Sequence, residues 1–189
     1  MKRSAALLLL PLLMSCEDSL DKLYPQAQPV QLPAVTQVGA NTFGCSLNGQ
    51  VWEASHATTL RGDVLTPSAS FKRGVLEVDA FRRLQVGGPI TNFHFALEGV
   101  TGPGVYRLSQ SQPGRLVRLK TAGGSVEYTA GGQRPGTITI TRLDTAGAHP
   151  YVAGRFELRA EPLPGTRMSG DLPAEVQVTD GRFDIQLNR

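Results

Sequence analysis

The chain predicts an all-β fold, an antiparallel sandwich or a partly open barrel of roughly eight to eleven strands. Three observations carry that expectation. Apolar and polar residues alternate with period two over short segments. Glycine and proline clusters recur between those segments. No stretch of useful length carries a helical period.

The first segment is an export signal rather than part of the fold. Lys2 and Arg3 open it, Ala5 to Leu13 is an apolar run, and Leu13-Met14-Ser15-Cys16 closes it with a small residue before a cysteine. A membrane-spanning helix needs about 20 apolar residues, so this run is too short. A charged start, a short apolar run and a small residue at the cut describe a cleaved signal. The cysteine that follows predicts lipidation at Cys16, with residues 1–15 removed. Multi-chain lipid at such a position gives lasting attachment where a single acyl chain would not.

From Glu17 to about Ala40 the chain carries Pro25, Pro29 and Pro33, several glutamines and no sustained period. Residues 16–40 therefore read as a lipidated N-terminus and flexible tether. At about 3.1 Å per residue such a segment reaches roughly 70 Å from the membrane. The alternative is an ordered arm lying on the domain. Residues 41–189 read as a single β domain, with no internal repeat.

Asn48-Gly49 signals a two-residue hairpin, because both turn positions need positive φ. That turn pairs Leu47 with Gln50, Cys45 with Trp52 and Phe43 with Ala54, so Phe43, Cys45, Leu47, Trp52 and Ala54 share a core face. Leu76, Val78 and Ala80 alternate with Glu77 and Asp79. Phe93, Phe95 and Leu97 alternate with Asn92, His94 and Ala96. Weaker strands are expected near Tyr106, Val117 and Tyr128. Ile138 and Ile140 alternate with Thr137, Thr139 and Thr141, and Phe156 and Leu158 with Arg155, Glu157 and Arg159. Turns are expected at Gly102-Pro103-Gly104, Gly123-Gly124, Gly131-Gly132 and Pro135-Gly136. At the C-terminus, Asp180-Gly181 reads as a second hairpin turn. It pairs Val178 with Phe183, Val176 with Ile185 and Ala174 with Leu187, leaving Gln177, Asp184 and Gln186 on the opposite, outer face.

Loss of Met1–Ser15 takes two basic residues from the 19, leaving 17 against 16 acidic ones, so net charge is near +1. Nucleic-acid binding normally shows a basic face or stripe. Arg82-Arg83 and Arg115/Arg118/Lys120 are the densest basic groups and sit inside strand patterns, so no nucleic-acid partner is expected. With Cys16 lipidated, Cys45 stands alone and no intramolecular disulfide is expected. A chain of this size buries a core without one.

The string Asn41-Thr42-Phe43-Gly44-Cys45, followed by Asn48-Gly49 and Trp52, resembles the opening of a family of small Bacteroidota lipoproteins. Further matches are Ile138-Thr139-Ile140-Thr141-Arg142-Leu143-Asp144, then Gly154-Arg155-Phe156, then Thr179-Asp180-Gly181-Arg182-Phe183-Asp184. The resemblance spans Asn41 to Asp184, and its two end motifs are its most specific parts. Ala153 stands where the family commonly has serine. The resemblance implies a β-rich envelope lipoprotein and brings no activity with it. In that bacterial group, acidic residues after the lipidated cysteine, here Glu17-Asp18, resemble a surface-export signal. The expected location is the cell envelope, lipid-anchored at the outer membrane and extending to surface display.

The sequence holds no G-x-S-x-G elbow, H-E-x-x-H or phosphate-binding loop. No catalytic residue, metal ligand or cofactor is assigned, and lipidation at Cys16 is the only site expected. Cys45 faces Trp52 on the apolar side, where a thiol acts as a small hydrophobe rather than a nucleophile. His56, His94 and His149 share no ligand spacing. Glu77 and Asp79 lie on one face about 6.6 Å apart, within reach of a glycosidase pair, but exposed alternation explains them. Trp52 is expected to pack rather than to stack on a ligand. The functional expectation is a non-enzymatic envelope module for binding or assembly, with membrane lipid and an envelope protein or glycan as partners. Two alternatives remain open at this point. One is a small-ligand or lipid carrier with a barrel cavity; the other is a hydrolase of glycans or peptides using carboxylates such as Glu77, Asp79 or Glu98.

Overall fold

A computed structural model describes residues 31–55, 67–82, 90–109, 114–121, 126–130, 135–168 and 172–188. The signal and Cys16 therefore lie outside the described residues, as do His56, Arg83 and the Gly123-Gly124 and Gly131-Gly132 turns. Among the described residues, eleven strands form one mixed sheet. They are β1 (Thr42–Leu47), β2 (Gln50–Glu53), β3 (Ser68–Lys72), β4 (Val75–Phe81), β5 (Ile90–Leu97) and β6 (Gly104–Leu108). After them come β7 (Arg115–Thr121), β8 (Glu127–Ala130), β9 (Gly136–Asp144), β10 (Tyr151–Pro162) and β11 (Val176–Asn188).

The Asn48-Gly49 hairpin forms in the register its sequence dictates. Cys45 pairs with Trp52 and Leu47 with Gln50, Ala54 N–H donates to the Phe43 carbonyl, and both turn residues have positive φ. Asn48 also reaches β11, since its Oδ1 accepts from Gln177 N–H at 2.8 Å. Arg73-Gly74 makes a further two-residue turn, between β3 and β4, with φ of 52° and 78°. Arginine at its first position hides that turn from the sequence.

Asp180-Gly181 is not a hairpin turn. It lies inside β11, a single 13-residue strand paired with β10 along its length. Asp180 has φ 53°, and the register slips by one residue there on both sides, against β10 between Phe156 and Leu158 and against β1 between Gly44 and Ser46. A one-residue bulge reverses the inside–outside phase of all that follows it. A two-residue turn places the same residues on one face, so the core face of Val176, Val178, Phe183 and Ile185 is as expected although the topology is not. Ala174, the expected partner of Leu187, lies outside the strand and is exposed.

The last ten residues of the expected tether are an ordered arm. Pro33 is buried and rests where a Cβ on Gly44 would stand, 2.5 Å from its Cδ. Asp184, expected on the open outer face, is buried beneath this arm. Its carboxylate accepts from Thr36 Oγ1 at 2.6 Å, Val38 N–H at 2.9 Å and Gly39 N–H at 2.8 Å. Asn41 closes the arm by accepting Gln186 N–H at 2.9 Å.

The long strands β10 and β11 join two groups of strands. β2-β1-β11-β10-β9-β6 forms one group and β3-β4-β5-β7-β8 the other. The C-terminal end of β11 pairs in parallel with β3, and that of β10 pairs with β8. The circuit β11-β3-β4-β5-β7-β8-β10 thereby closes on itself. The groups face each other as in a sandwich and share two corners as in a barrel. Among the described residues, six rings form one cluster between them. Phe43 packs against Trp52, Phe93, Phe95 and Phe156 at centroid distances of 5.0–5.8 Å, and Phe183 lies 6.3 Å from Phe95 and from Phe156. Aromatic pairs in tilted and edge-on arrangements add about 0.5–1.5 kcal/mol each beyond their buried area.

Candidate functional site: a polar trough on the outer sheet face

Beyond the packed ring cluster, a polar concavity lies on the outer face of the sheet. β4, β5 and β7 run side by side, and their alternate residues Leu76, Val78, Phe93, Phe95, Val117 and Leu119 point into the core. The intervening residues form two rows on the outer face. Asp79, His94 and Arg118 make one, and Phe81, Asn92 and Lys120 make the next. They line a trough of about 370 Å³.

A bulge sets the second row. Ile90 pairs with Thr121 but Asn92 with Lys120, so Thr91 is the extra residue, and it is buried. Thr91 Oγ1 donates to Asn92 Oδ1 at 2.8 Å and so holds the amide. The Nδ2 donors of Asn92 are left for the trough. Bulges commonly re-aim side chains beside functional sites.

In the first row His94 Nδ1 stands 2.8 Å from Asp79 Oδ1. Across β7, Arg118 Nε lies 3.0 Å from Glu127 Oε1 and Lys120 Nζ lies 3.5 Å from Glu127 Oε2. The Arg118 approach lacks hydrogen-bond geometry, since the buried Oε1 has no hydrogen-bond partner among the described residues. One carboxylate thus faces two cations, about half-exposed, and one positive charge is left over.

The residues weighed from the sequence are dispersed. Cys45 is fully buried, and burial pushes its thiol well above its ordinary range, against a smaller opposing pull from Arg82. That thiol is packing, not a nucleophile. Burial likewise lowers the Arg82 guanidinium, with Glu53 and Cys45 opposing, and Arg82 Nη1 donates to the Val51 carbonyl at 3.3 Å. Trp52 packs as expected, and its indole N–H donates to the Ile90 carbonyl at 2.8 Å. His149 and Glu98 are exposed and lie outside the trough. Glu77 accepts from Ser70 Oγ at 3.3 Å, one row below. Ser68 pairs with Asp79, which in turn pairs with His94. The carboxylate therefore stands between hydroxyl and imidazole, whereas an activated serine needs the imidazole in the middle. Among the described residues no three His, Cys, Asp or Glu side chains gather as metal ligands.

The sequence groups Arg118 with Lys120 but gives no reason to set Asn92 beside them. Their alternation with core residues was legible, but neighbours across strands depend on which strands pair. No protein family, curated protein or solved structure matches this chain.

Proposed function

We propose that this chain is a lipid-anchored envelope protein, similar to the Bacteroidota lipoproteins its motifs resemble, whose β domain is a non-enzymatic binding module. In this reading Cys16 holds it to the outer membrane and Glu17-Asp18 favours surface display. The trough on β4, β5 and β7 is its recognition surface. The observation that carries the reading is the contrast between the two sides of the sheet. Six packed rings occupy the inside, while a polar concavity with unspent donors occupies the outside. A carrier needs interior space, and the ring cluster takes it. A hydrolase using Glu77 and Asp79 needs them across a cleft; here they lie along one strand and each meets a neighbouring side chain.

Two measurements test this. Cys16→Ser in the producing cell is expected to move the protein from the membrane fraction to the soluble one, and unchanged membrane retention sinks the anchor. The anchored protein crosslinked in its own envelope is expected to capture a component that His94→Ala/Lys120→Glu fails to capture. Equal capture by both sinks the trough as the recognition surface.

A further inference from the structure

We infer that the trough takes an acidic saccharide, seated with its carboxylate at Lys120 and Arg118. This rests on the trough being the recognition surface. Three features of its lining fit the parts of such a ligand. Glu127 is shared by Arg118 and Lys120, so the β7 side keeps one positive charge beyond that carboxylate, on half-exposed side chains that line the trough. Arginine and lysine both favour carboxylates, arginine through a bidentate fork. Asn92, its amide oxygen held by Thr91, offers Nδ2 donors to ring hydroxyls. Phe81, on the outer face of β4 opposite Asn92, is half-buried and is the aromatic residue of β4 in the trough lining. The negative face of such a ring attracts the slightly positive C–H groups of a pyranose.

Asp79, the one carboxylate lining the trough among the described residues, does not spoil the fit. Asp79 is engaged by His94, and it lies two strands from Arg118, about 10 Å at ordinary strand spacing. Lys120 is one row farther along. A ligand carboxylate at Lys120 and Arg118 is therefore about a Debye length from Asp79 at ordinary salt, where repulsion is weakened. The whole cleft spans two rows and three strands, the footprint of one or two sugar rings. A flat protein partner would need about 800 Å² on its side, more than this trough offers.

The test is titration calorimetry on the full-length protein in detergent micelles, with trigalacturonate as the acidic probe and galactotriose as its neutral counterpart. Trigalacturonate is expected to bind at least tenfold more tightly. Lys120→Ala is expected to weaken it about tenfold, Lys120→Arg to restore it, and Phe81→Ala to weaken both sugars. Arg155→Ala, on the other strand group, is expected to leave both unchanged. Equal affinity for the two sugars, or trigalacturonate binding indifferent to Lys120 and Phe81, overturns the inference. So does no binding of either sugar at millimolar concentration. If envelope capture still depends on His94 and Lys120 in those cases, the ligand class alone has failed; if capture is also lost as a trough-dependent property, the recognition surface has failed with it.

Discussion

Asp184 shows how one residue can bind a terminal segment to a fold. Its carboxylate is buried and accepts three hydrogen bonds from the arm, two of them from backbone N–H groups. Hydrogen bonds to a charged group are worth about 1.5–3 kcal/mol, and an orphaned buried donor costs about 1–3 kcal/mol. Asp184→Ala is expected to cost about 3 kcal/mol in urea unfolding and to open residues 33–41 to proteolysis ahead of the domain; an arm as protected as in the wild type would refute that account. Cys45 makes a second case at this scale. Its thiol is buried and held protonated well above its ordinary range. The unfolded chain releases that proton from about pH 8.5, the folded one does not, so the folded state then binds more protons and stability falls as pH rises. The loss approaches about 1.4 kcal/mol per pH unit above the unfolded pKa. Cys45→Ala is expected to remove this slope between pH 8.5 and 10, and an identical slope in the variant would place its origin elsewhere.

Among the elements, the β10–β11 ladder holds the most constraint. Gly154-Arg155-Phe156 and Gly181-Arg182-Phe183 run antiparallel and pair on each other, Gly154 with Phe183 and Phe156 with Gly181. Each ring lies over the glycine opposite. A Cβ on Gly154 would stand 2.5 Å from Phe183 Cζ and from the Thr139 carbonyl oxygen, and one on Gly181 would stand 2.4 Å from the Phe156 carbonyl oxygen. Backbone atoms cannot retreat as a flexible side chain can, so Gly181→Ala is expected to cost about 3 kcal/mol or more. Gly49→Ala tests the contrast. It meets open space and costs only its positive φ, about 1 kcal/mol. Equal losses for the two in thermal unfolding would remove the ring-over-glycine argument. The G-R-F motifs were legible as strings, and their mutual pairing was not. The same holds for Asp180-Gly181. Its change of phase was plain in sequence, but a turn and a bulge change phase alike, and only the long ladder to β10 tells them apart.

The whole molecule is one core closed by distant pairings. β10 touches β8, β9 and β11, and β11 touches β1, β3 and β10. Both strand groups contribute rings to one cluster, so loss of either group exposes the other. Unfolding is therefore expected to be a single cooperative transition, with Trp52 fluorescence and far-ultraviolet circular dichroism coincident in urea. Two separated transitions would mean that the groups fold independently. Phe95→Ala, at the centre of the cluster, is expected to cost about 3–5 kcal/mol. The sequence by itself determined the all-β class, the β1–β2 hairpin and the inward-facing side chains of β4, β5, β9 and β10, because alternation is a local property with period two. Tertiary structure alone decided which strands are neighbours, that Asp184 lies under an arm, and that Asp79, His94, Asn92, Arg118 and Lys120 share one trough. Those facts depend on contacts between residues far apart in the chain, and a period of two leaves the choice of partner open.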